Sequence, residues 1–287
     1  MIETKLFKGK TPGPSVAMTG AVHGNEVCGT KALQRLAAEL ERGELALATG
    51  QLLLVPIANP EAYIQNRRFV EQNLNRVFKP HASPSAYEHH VANSLCAALE
   101  GCDVLIDFHS IHSKGEPFVL RFNNLPPAEE ALLAALGLPV QVEGWAEAYE
   151  RSLPGIDMGQ DVHSHAYIRS QGGIAAGVEC GQHDDPAAVE VAYNAARRAL
   201  VHLGLVAGTL PPVAPARRLR IDEVVFSKTG TESFSRSFAH GDPLQAGEVI
   251  GKETNGSAVL APRDCLILFP REKCPKGEEW FYLGSAA

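Results

Sequence analysis

Two histidines and a glutamate stand where predicted strands end. His23 and Glu26 lie in Gly-Ala-Val-His-Gly-Asn-Glu, after a strand predicted over residues 14–22 and at the start of a helix. His109 directly follows another strand predicted over residues 103–108. Because the carboxyl ends of parallel strands meet at one edge of an α/β sheet, the three side chains can face one point. Two histidines and one glutamate, with a fourth position left for water, form a catalytic zinc set, whereas magnesium and calcium prefer more carboxylates.

Each of these residues also has an ordinary structural interpretation. His23 alone is typical of a turn, His109 of a strand end, and Glu26 of the first turn of a helix, where a negative charge is favourable. Glu179 ends a short strand predicted over residues 174–178, where a charged residue usually meets solvent. Beside a zinc it would instead take a proton from the attacking water and pass it to the leaving nitrogen. The residues alone leave both interpretations open.

Three arginines, Arg67, Arg68 and Arg76, follow the strand predicted over residues 51–58. They fit either a solvated loop face or a carboxylate clamp, because the planar guanidinium binds a carboxylate through two parallel hydrogen bonds. The loop leaves the carboxyl end of a strand and can therefore reach the metal crevice, where Asn75 would orient the clamp or donate to a substrate carbonyl.

Strands alternate with helices up to about residue 205, which predicts an α/β fold with a largely parallel sheet covered on both faces. A proline-containing linker follows over residues 206–217. Short strands separated by turn residues come after it and predict a small β domain. We therefore expect a catalytic domain over residues 1–205 and a small C-terminal β domain over residues 217–287.

In combination, these motifs resemble the succinylglutamate desuccinylase/aspartoacylase family, which is related to the zinc carboxypeptidases. The resemblance extends over roughly residues 14–205 and is carried by separated motifs in the family's order. These motifs are Gly-Ala-Val-His23-Gly-Asn-Glu26, Asn59-Pro60, Arg68 with Asn73-Leu74-Asn75-Arg76, Asp107-Phe108-His109 and Val178-Glu179.

The resemblance implies a zinc-carboxypeptidase-like fold and one zinc ion per chain. It implies these roles: zinc ligands His23, Glu26 and His109, general base and acid Glu179, and substrate-binding residues Arg68, Asn75, Arg76 and Arg169. One position departs from the family, because Asn73 stands where the family usually has an aspartate. That loss removes an expected partner of an arginine or of a zinc-ligand histidine, and it leaves the acyl group of the substrate open.

Other side chains that could reach the site have a simpler interpretation. We expect surface or loop positions for four further histidines and core packing for two aromatic residues of the C-terminal part. They are His112, His163, His165 and His183, with Trp280 and Tyr282.

The expected function is zinc-dependent hydrolysis of the amide bond in a small N-acyl amino acid or similar carboxylate-bearing compound, by glutamate-assisted attack of water. The alternatives are a metallocarboxypeptidase acting on peptides and a non-catalytic zinc- or ligand-binding protein. The formal net charge of −7 argues against a nucleic-acid partner. The sequence has no apolar run long enough to span a membrane and no signal-peptide pattern. Its six cysteines form no Cys-x-x-Cys pair, which favours the cytoplasm. The oligomeric state stays open, a homo-oligomer included.

Overall fold

The structure is a computed structural model that describes residues 2–155 and 162–287. Its strands are β1 (Lys5–Lys8), β2 (Thr11–Gly20), β3 (Thr49–Val55), β4 (Val104–Ile111), β5 (Phe118–Leu120), β6 (Val140–Glu143), β7 (Ile174–Gln182), β8 (Arg217–Phe226), β9 (Ser233–Phe234), β10 (Asp242–Leu244), β11 (Val249–Lys252), β12 (Ala258–Leu260), β13 (Cys265–Leu268) and β14 (Glu279–Ala286). Its helices are α1 (Cys28–Glu41), α2 (Pro60–Ile64), α3 (Tyr87–Leu99), α4 (Pro127–Leu136), α5 (Trp145–Ser152), α6 (Ser164–Ser170) and α7 (Ala187–His202), with a 3-10 helix at Leu74–Arg76.

One mixed sheet of eleven strands organises the chain, in the order β1-β3-β2-β4-β7-β5-β6-β8-β14-β13-β10. Its centre is parallel, because β2 pairs with β3 and β4, and β4 pairs with β7. Every residue of β4 is buried, as expected for a strand covered on both faces of a sheet. The predicted α/β fold class is confirmed.

Helices cover both faces of the parallel part. On one face, α1, α4 and α7 pack their apolar sides onto β2, β4 and β7 in a core that includes Leu33, Leu132 and Ala196. On the other face, α3 contributes Leu95 and shares a core with Leu74 of the 3-10 helix. No helix in the described ranges is both long and apolar enough to cross a bilayer.

The C-terminal part is built from strands, but it is continuous with the main sheet. β8 runs parallel to β6, with Val140 opposite Arg217, and β14, β13 and β10 follow beyond it. Only β9, β11 and β12 form a separate three-stranded sheet. The division into two domains at residues 205 and 217 stays a prediction. Among the described residues, the last helix, α7, ends at His202, and the elements from Arg217 onward are strands.

A buried carboxylate on α3 holds the loop that carries the arginines. Glu88 is fully buried, and its Oε1 accepts a hydrogen bond from the backbone N–H of Val70 at 2.7 Å. Its Oε2 accepts from the N–H groups of Glu71 and Gln72 at 3.1 and 3.0 Å. Asn59 donates to it as well, at 3.3 Å. Several donors around one carboxylate compensate for the loss of its hydration and fix the path of the loop.

Replacing Glu88 with alanine should destabilise the protein without touching the site directly. We expect the free energy of unfolding to fall by about 3 kcal/mol, because three backbone amides lose a charged acceptor. The thermal midpoint of Glu88→Ala, measured by circular dichroism, should lie several degrees below that of the control Glu100→Ala, an exposed position at the end of the same helix. Equal midpoints would show that the loop is held by other contacts.

Candidate metal and active site

The chain brings His23, Glu26 and His109 together at one sheet edge. His23 and Glu26 lie between β2 and α1, and His109 lies near the end of β4, the parallel neighbour of β2. All three are buried, and their ligand atoms lie within 4.8 Å of one another. The close turn requires Gly24, because a Cβ there would lie 2.1 Å from the carbonyl carbon of Ala62.

Both histidines turn the same ring nitrogen towards Glu26. His23 Nδ1 is 3.0 Å from Glu26 Oε1, and His109 Nδ1 is 2.8 Å from Glu26 Oε2. The opposite nitrogens are held from outside, His23 Nε2 by Asn73 Oδ1 at 3.0 Å and His109 Nε2 by Asp107 Oδ2 at 3.0 Å. With a proton on each Nε2, both Nδ1 lone pairs point inward. Such outer partners are what orients histidines that bind a metal.

The charges of the cluster follow from burial and close contacts. Burial, together with the neighbouring Arg68, lowers the pKa of His23 to about 4, which favours the neutral imidazole. Burial alone would raise the pKa of Glu26, but His23 and His109 hold it well below its usual range. Burial would lower the pKa of His109, but Asp107 and Glu26 outweigh it and raise that pKa. Without a bound cation the imidazole of His109 therefore favours its protonated form. A metal ion would displace the proton from its Nδ1 and leave an ionised carboxylate with two neutral imidazoles, a donor set that suits zinc.

Asp107 has a positioning role that the sequence analysis did not assign. It is fully buried and accepts hydrogen bonds from Thr19 Oγ1 and Ser164 Oγ, each at 2.7 Å, besides its contact with His109. The sequence could have indicated this contact, because Asp107 and His109 are two residues apart on a strand and their side chains therefore point to the same face of the sheet.

Asn73 keeps the contact that was expected to be lost with the family's aspartate. Its Oδ1 lies against His23 Nε2, and it also accepts from the backbone N–H of Asn75 at 3.0 Å. That second donor identifies this atom as the amide oxygen. A neutral oxygen thus orients His23, and the site has one negative charge fewer than it would have with aspartate.

Glu179 lies on β7 directly opposite His109 of β4. The residue is partly exposed, but its Oε2 atom is buried and has no hydrogen-bond partner among the described residues. Burial raises the pKa of Glu179 to about 8. A cation held by the neighbouring cluster would favour the ionised form instead. The carboxylate is therefore placed to exchange a proton at the edge of the cluster.

Arg68, Asn75 and Arg76 lie beside the His23–Glu26–His109 cluster. Arg68 Nη1 donates to Glu26 Oε1 at 2.9 Å, and Arg76 Nη1 donates to the backbone oxygen of Asn75 at 2.8 Å. Asn75 Nδ2 is 3.4 Å from His109 Nε2. Both guanidinium groups border the cavities described below, so each can meet a ligand there.

Arg169 is not among the residues that border these cavities. It lies in the last turn of α6, forms an ion pair with the buried Glu129 and stacks its guanidinium 4.4 Å above the ring of Phe122. Phe122 itself lines a cavity wall. The substrate-binding role of Arg169 stays a prediction.

Two cavities lie at the cluster and share five wall residues, which are His23, Arg68, Arg76, Trp145 and Glu179. The first, which we call the histidine cavity, has a volume of about 170 Å³. It is further lined by Asn75, His109, Leu120, Phe122, Ala146, His163 and His165. The second, which we call the tyrosine cavity, has a volume of about 330 Å³. Its walls include Tyr149, Phe269, Arg271, Glu278, Glu279 and Tyr282.

The sequence analysis missed several of these wall residues. The expected surface or loop position is wrong for His165, which is buried on α6, and neither of its ring nitrogens is hydrogen-bonded to a residue that the structure describes. Gly177 makes room for it, since a Cβ there would lie 2.4 Å from His165 Cε1. His163 caps α6 and stacks on Phe122. Burial, with His163 close by, keeps the pKa of His165 well below its ordinary value, so this wall is neutral.

Of the remaining residues singled out in the sequence, some border the tyrosine cavity and others do not. His112 borders the tyrosine cavity, and His183 Nδ1 pairs with Ser110 Oγ at 2.8 Å. Trp280 packs in the core, as expected, whereas Tyr282 packs in the core and also borders the tyrosine cavity.

The sequence of this chain is similar to that of a known protein family. A family model described as the succinylglutamate desuccinylase/aspartoacylase catalytic domain matches residues 12–200, more than half of the chain. A succinylglutamate desuccinylase from Pseudomonas paraeruginosa is 41% identical over 77 residues, which cover 27% of this chain and 23% of that protein. The chain thus matches about a quarter of the length of the first desuccinylase relatives.

Two further comparisons extend over most of the chain. An N-alpha-acetyl-L-2,4-diaminobutyric acid deacetylase from Halomonas elongata is 26% identical over 262 residues, covering 88% of this chain and 73% of that protein. The product-bound structure of the ectoine utilization protein EutE (DoeB) from Ruegeria pomeroyi superposes with a TM-score of 0.80 at 22% identity, covering 100% of this chain and 89% of that one. At that identity the second likeness shows the fold alone. The match over residues 12–200 shows that this chain belongs to the succinylglutamate desuccinylase/aspartoacylase family.

Proposed function

We propose that the protein is a zinc-dependent deacylase that hydrolyses the amide bond of a small N-acyl amino acid. The observation that carries the proposal is the buried His23–Glu26–His109 cluster, with Glu179 opposite His109 and two arginines on the walls of the adjacent cavities. The names of the relatives, a succinylglutamate desuccinylase and an N-acetyl-diaminobutyrate deacetylase, support this class of reaction.

The residues present fit a zinc ion. Two Nδ1 atoms and one carboxylate face one point, and His23 Nδ1 is buried without a well-aligned hydrogen bond in the described structure. Zinc bound there would supply a Lewis acid that polarises a substrate carbonyl and acidifies water. Asn73 and Asp107 would keep the two imidazoles oriented, because each holds the outer nitrogen of one ligand.

Glu179 is the residue proposed to move the proton. Glu179 borders both cavities together with His23, and its Oε2 has no hydrogen-bond partner among the described residues. In the hydrolysis it takes a proton from the attacking water and delivers it to the leaving amine nitrogen, the usual double role of a positioned carboxylate.

Arg68 and Arg76 are proposed to bind the carboxylate of the substrate. A positive loop beside a metal cation favours a ligand that brings negative charge, since the cations would otherwise repel one another in a poorly hydrated cleft. A bidentate contact also fixes direction and so aligns the scissile carbonyl.

The cavities favour a small substrate over a peptide. Their volumes of about 170 and 330 Å³ suit a ligand of amino-acid size, and the C-terminal strands form one wall. The six cysteines are all buried and unpaired, in keeping with the proposed cytoplasmic location.

Purified protein should contain about one zinc ion per chain. His109→Ala should lose most of it, because two of the three ligands do not hold zinc well. The matched control is His202→Ala, an exposed histidine at the end of α7, and the measurement is elemental analysis after gel filtration. Full zinc content in a His23→Ala, His109→Ala double variant would rule out this site.

Replacing Glu179 with glutamine should keep zinc and fold but slow turnover. We expect a loss in kcat of about 10²–10⁴-fold, the range for removing a positioned acid or base. Glu190→Gln, at an exposed position of α7, serves as control. Turnover within a few fold of the parent enzyme would mean that another group moves the proton.

The arginine pair should discriminate substrates by their carboxylate. An N-acyl amino acid should exceed the matching N-acyl amine in kcat/KM by at least about 10-fold. Arg76→Lys should lose most of this advantage because lysine keeps the charge but not the planar fork. Arg67→Lys provides the control, since Arg67 lies on the same loop but is exposed. Equal rates on both compounds would leave the arginines as a solvated loop face.

A further inference from the structure

Arg68 forms an ion pair with one of the proposed metal ligands. Its Nη1 donates to Glu26 Oε1 at 2.9 Å, and Glu26 is the carboxylate partner of Arg68 within residues 2–155 and 162–287. The Arg68 side chain is 38% exposed, whereas that of Glu26 is 2% exposed. Arg68 also borders both cavities. Its guanidinium therefore stands between the space open to a ligand and a buried carboxylate of the cluster.

The two oxygens of Glu26 have different surroundings. Oε2 lies 2.8 Å from His109 Nδ1 and accepts a hydrogen bond from the backbone N–H of Ser110 at 3.3 Å. Oε1 lies 3.0 Å from His23 Nδ1 and also accepts from the guanidinium of Arg68. Oε1 is therefore the oxygen that is shared between the proposed metal site and Arg68.

The outer partners of the two histidines differ in charge. His109 Nε2 faces the carboxylate of Asp107, whereas His23 Nε2 faces the neutral amide oxygen of Asn73. A carboxylate behind a ligand histidine raises the basicity of that ligand, and His23 lacks this support. The negative charge next to His23 is that of Glu26, and Arg68 already offsets part of it.

A guanidinium on a metal ligand opposes the binding of a metal cation. Two positive charges a few ångströms apart repel each other, and the repulsion is stronger where little water surrounds them. A carboxylate compound in the cavity that pairs with Arg68 would offset this charge and give the guanidinium a second acceptor. The cation and the carboxylate compound should therefore each favour the binding of the other.

We propose that Arg68 couples metal affinity to the binding of a carboxylate compound. Its charge on Glu26 weakens zinc binding to the His23–Glu26–His109 cluster, and a carboxylate that pairs with Arg68 relieves this effect. The inference rests on the proposed function, from which it takes the zinc ion and a substrate that carries a carboxylate. Because such coupling is reciprocal, zinc strengthens carboxylate binding by the same factor.

The first test measures zinc affinity by competition with a chromophoric chelator at fixed pH and ionic strength. Arg68→Gln, which removes the charge, should bind zinc about 10-fold more tightly than the parent protein, because the cation no longer meets the guanidinium. Arg68→Lys keeps the charge and should stay within about 3-fold of the parent. The matched control is Arg67→Gln, an exposed arginine of the same loop, which should bind zinc like the parent.

Zinc binding that is unchanged or weaker in Arg68→Gln overturns the proposal, because Arg68 would then only hold Glu26 in place. Should this variant fail to fold, the parent protein alone provides the second test. Saturating butanoate should tighten zinc binding to the parent by about 10-fold, whereas butanamide, its neutral counterpart, should leave it unchanged. Equal zinc affinity in the two compounds overturns the proposal.

The Arg68→Gln variant also separates this coupling from direct ligation of the metal by butanoate. Ligation would tighten zinc binding in the variant as much as in the parent, and that result overturns the role of Arg68. Loss of the butanoate effect in the variant supports it. Calorimetry of butanoate binding to the zinc-free and zinc-loaded parent protein should give the same factor, and equal butanoate affinities would contradict the coupling.

These measurements do not use turnover, so they separate this inference from the proposed function. One zinc per chain without coupling overturns the inference and leaves the deacylase proposal intact. Coupling in a protein that hydrolyses no N-acyl amino acid supports the inference and overturns the deacylase proposal. A parent protein that takes up no zinc overturns both.

Discussion

The buried carboxylate of Asp107 is the contact on which the geometry of the site depends. It joins three separate elements, because Thr19 belongs to β2, Ser164 to α6 and His109 to the same strand as Asp107. A fully buried carboxylate is costly unless its oxygens are satisfied, and here three partners satisfy them. The imidazole of His109 cannot rotate without breaking this network, so the direction of its Nδ1 is set by the core rather than by the cavity.

Hydrogen bonds to buried side chains also fix the loop that carries the arginines. Glu88 holds the backbone after Arg68, and Asn73 at the end of the same loop reaches His23. The loop therefore couples the proposed carboxylate-binding residues to the orientation of His23, one of the proposed metal ligands. Charge is distributed unevenly around the cavities. Cationic groups lie on the loop, His163 and His165 form a neutral wall, and two acidic groups, Glu278 and Glu279, lie just before and at the start of β14.

The family, the fold class and the meeting point of the candidate ligands could be predicted from sequence. Each ligand stands directly at the end of an apolar strand, and parallel strands have only one edge where such positions can converge. The walls of the cavities could not be predicted in this way. β5 and β6 have three and four residues, too few to show a periodic pattern, and the wall residues Trp145 and Glu279 depend on pairing between segments far apart in sequence.

His165 illustrates the same difficulty at the level of one residue. Its helix, α6, has seven residues, and nothing in the local sequence shows that Gly177 on β7 leaves space for the ring. Short polar segments between strands usually run over the surface, so the local pattern favoured an exposed histidine. Its burial depends on a glycine whose role appears only when the two elements pack.

The continuity of the large sheet limits how substrate preference can diverge within this architecture. Because β8 adds directly to β6 and carries β14 with it, the C-terminal strands are joined to the catalytic part by backbone hydrogen bonds along a whole strand. Exchanging this region for that of a relative would leave a broken sheet edge unless the pairing register were reproduced. A new substrate preference should therefore arise more readily through single replacements on β14, which borders the tyrosine cavity, than through exchange of the whole C-terminal region.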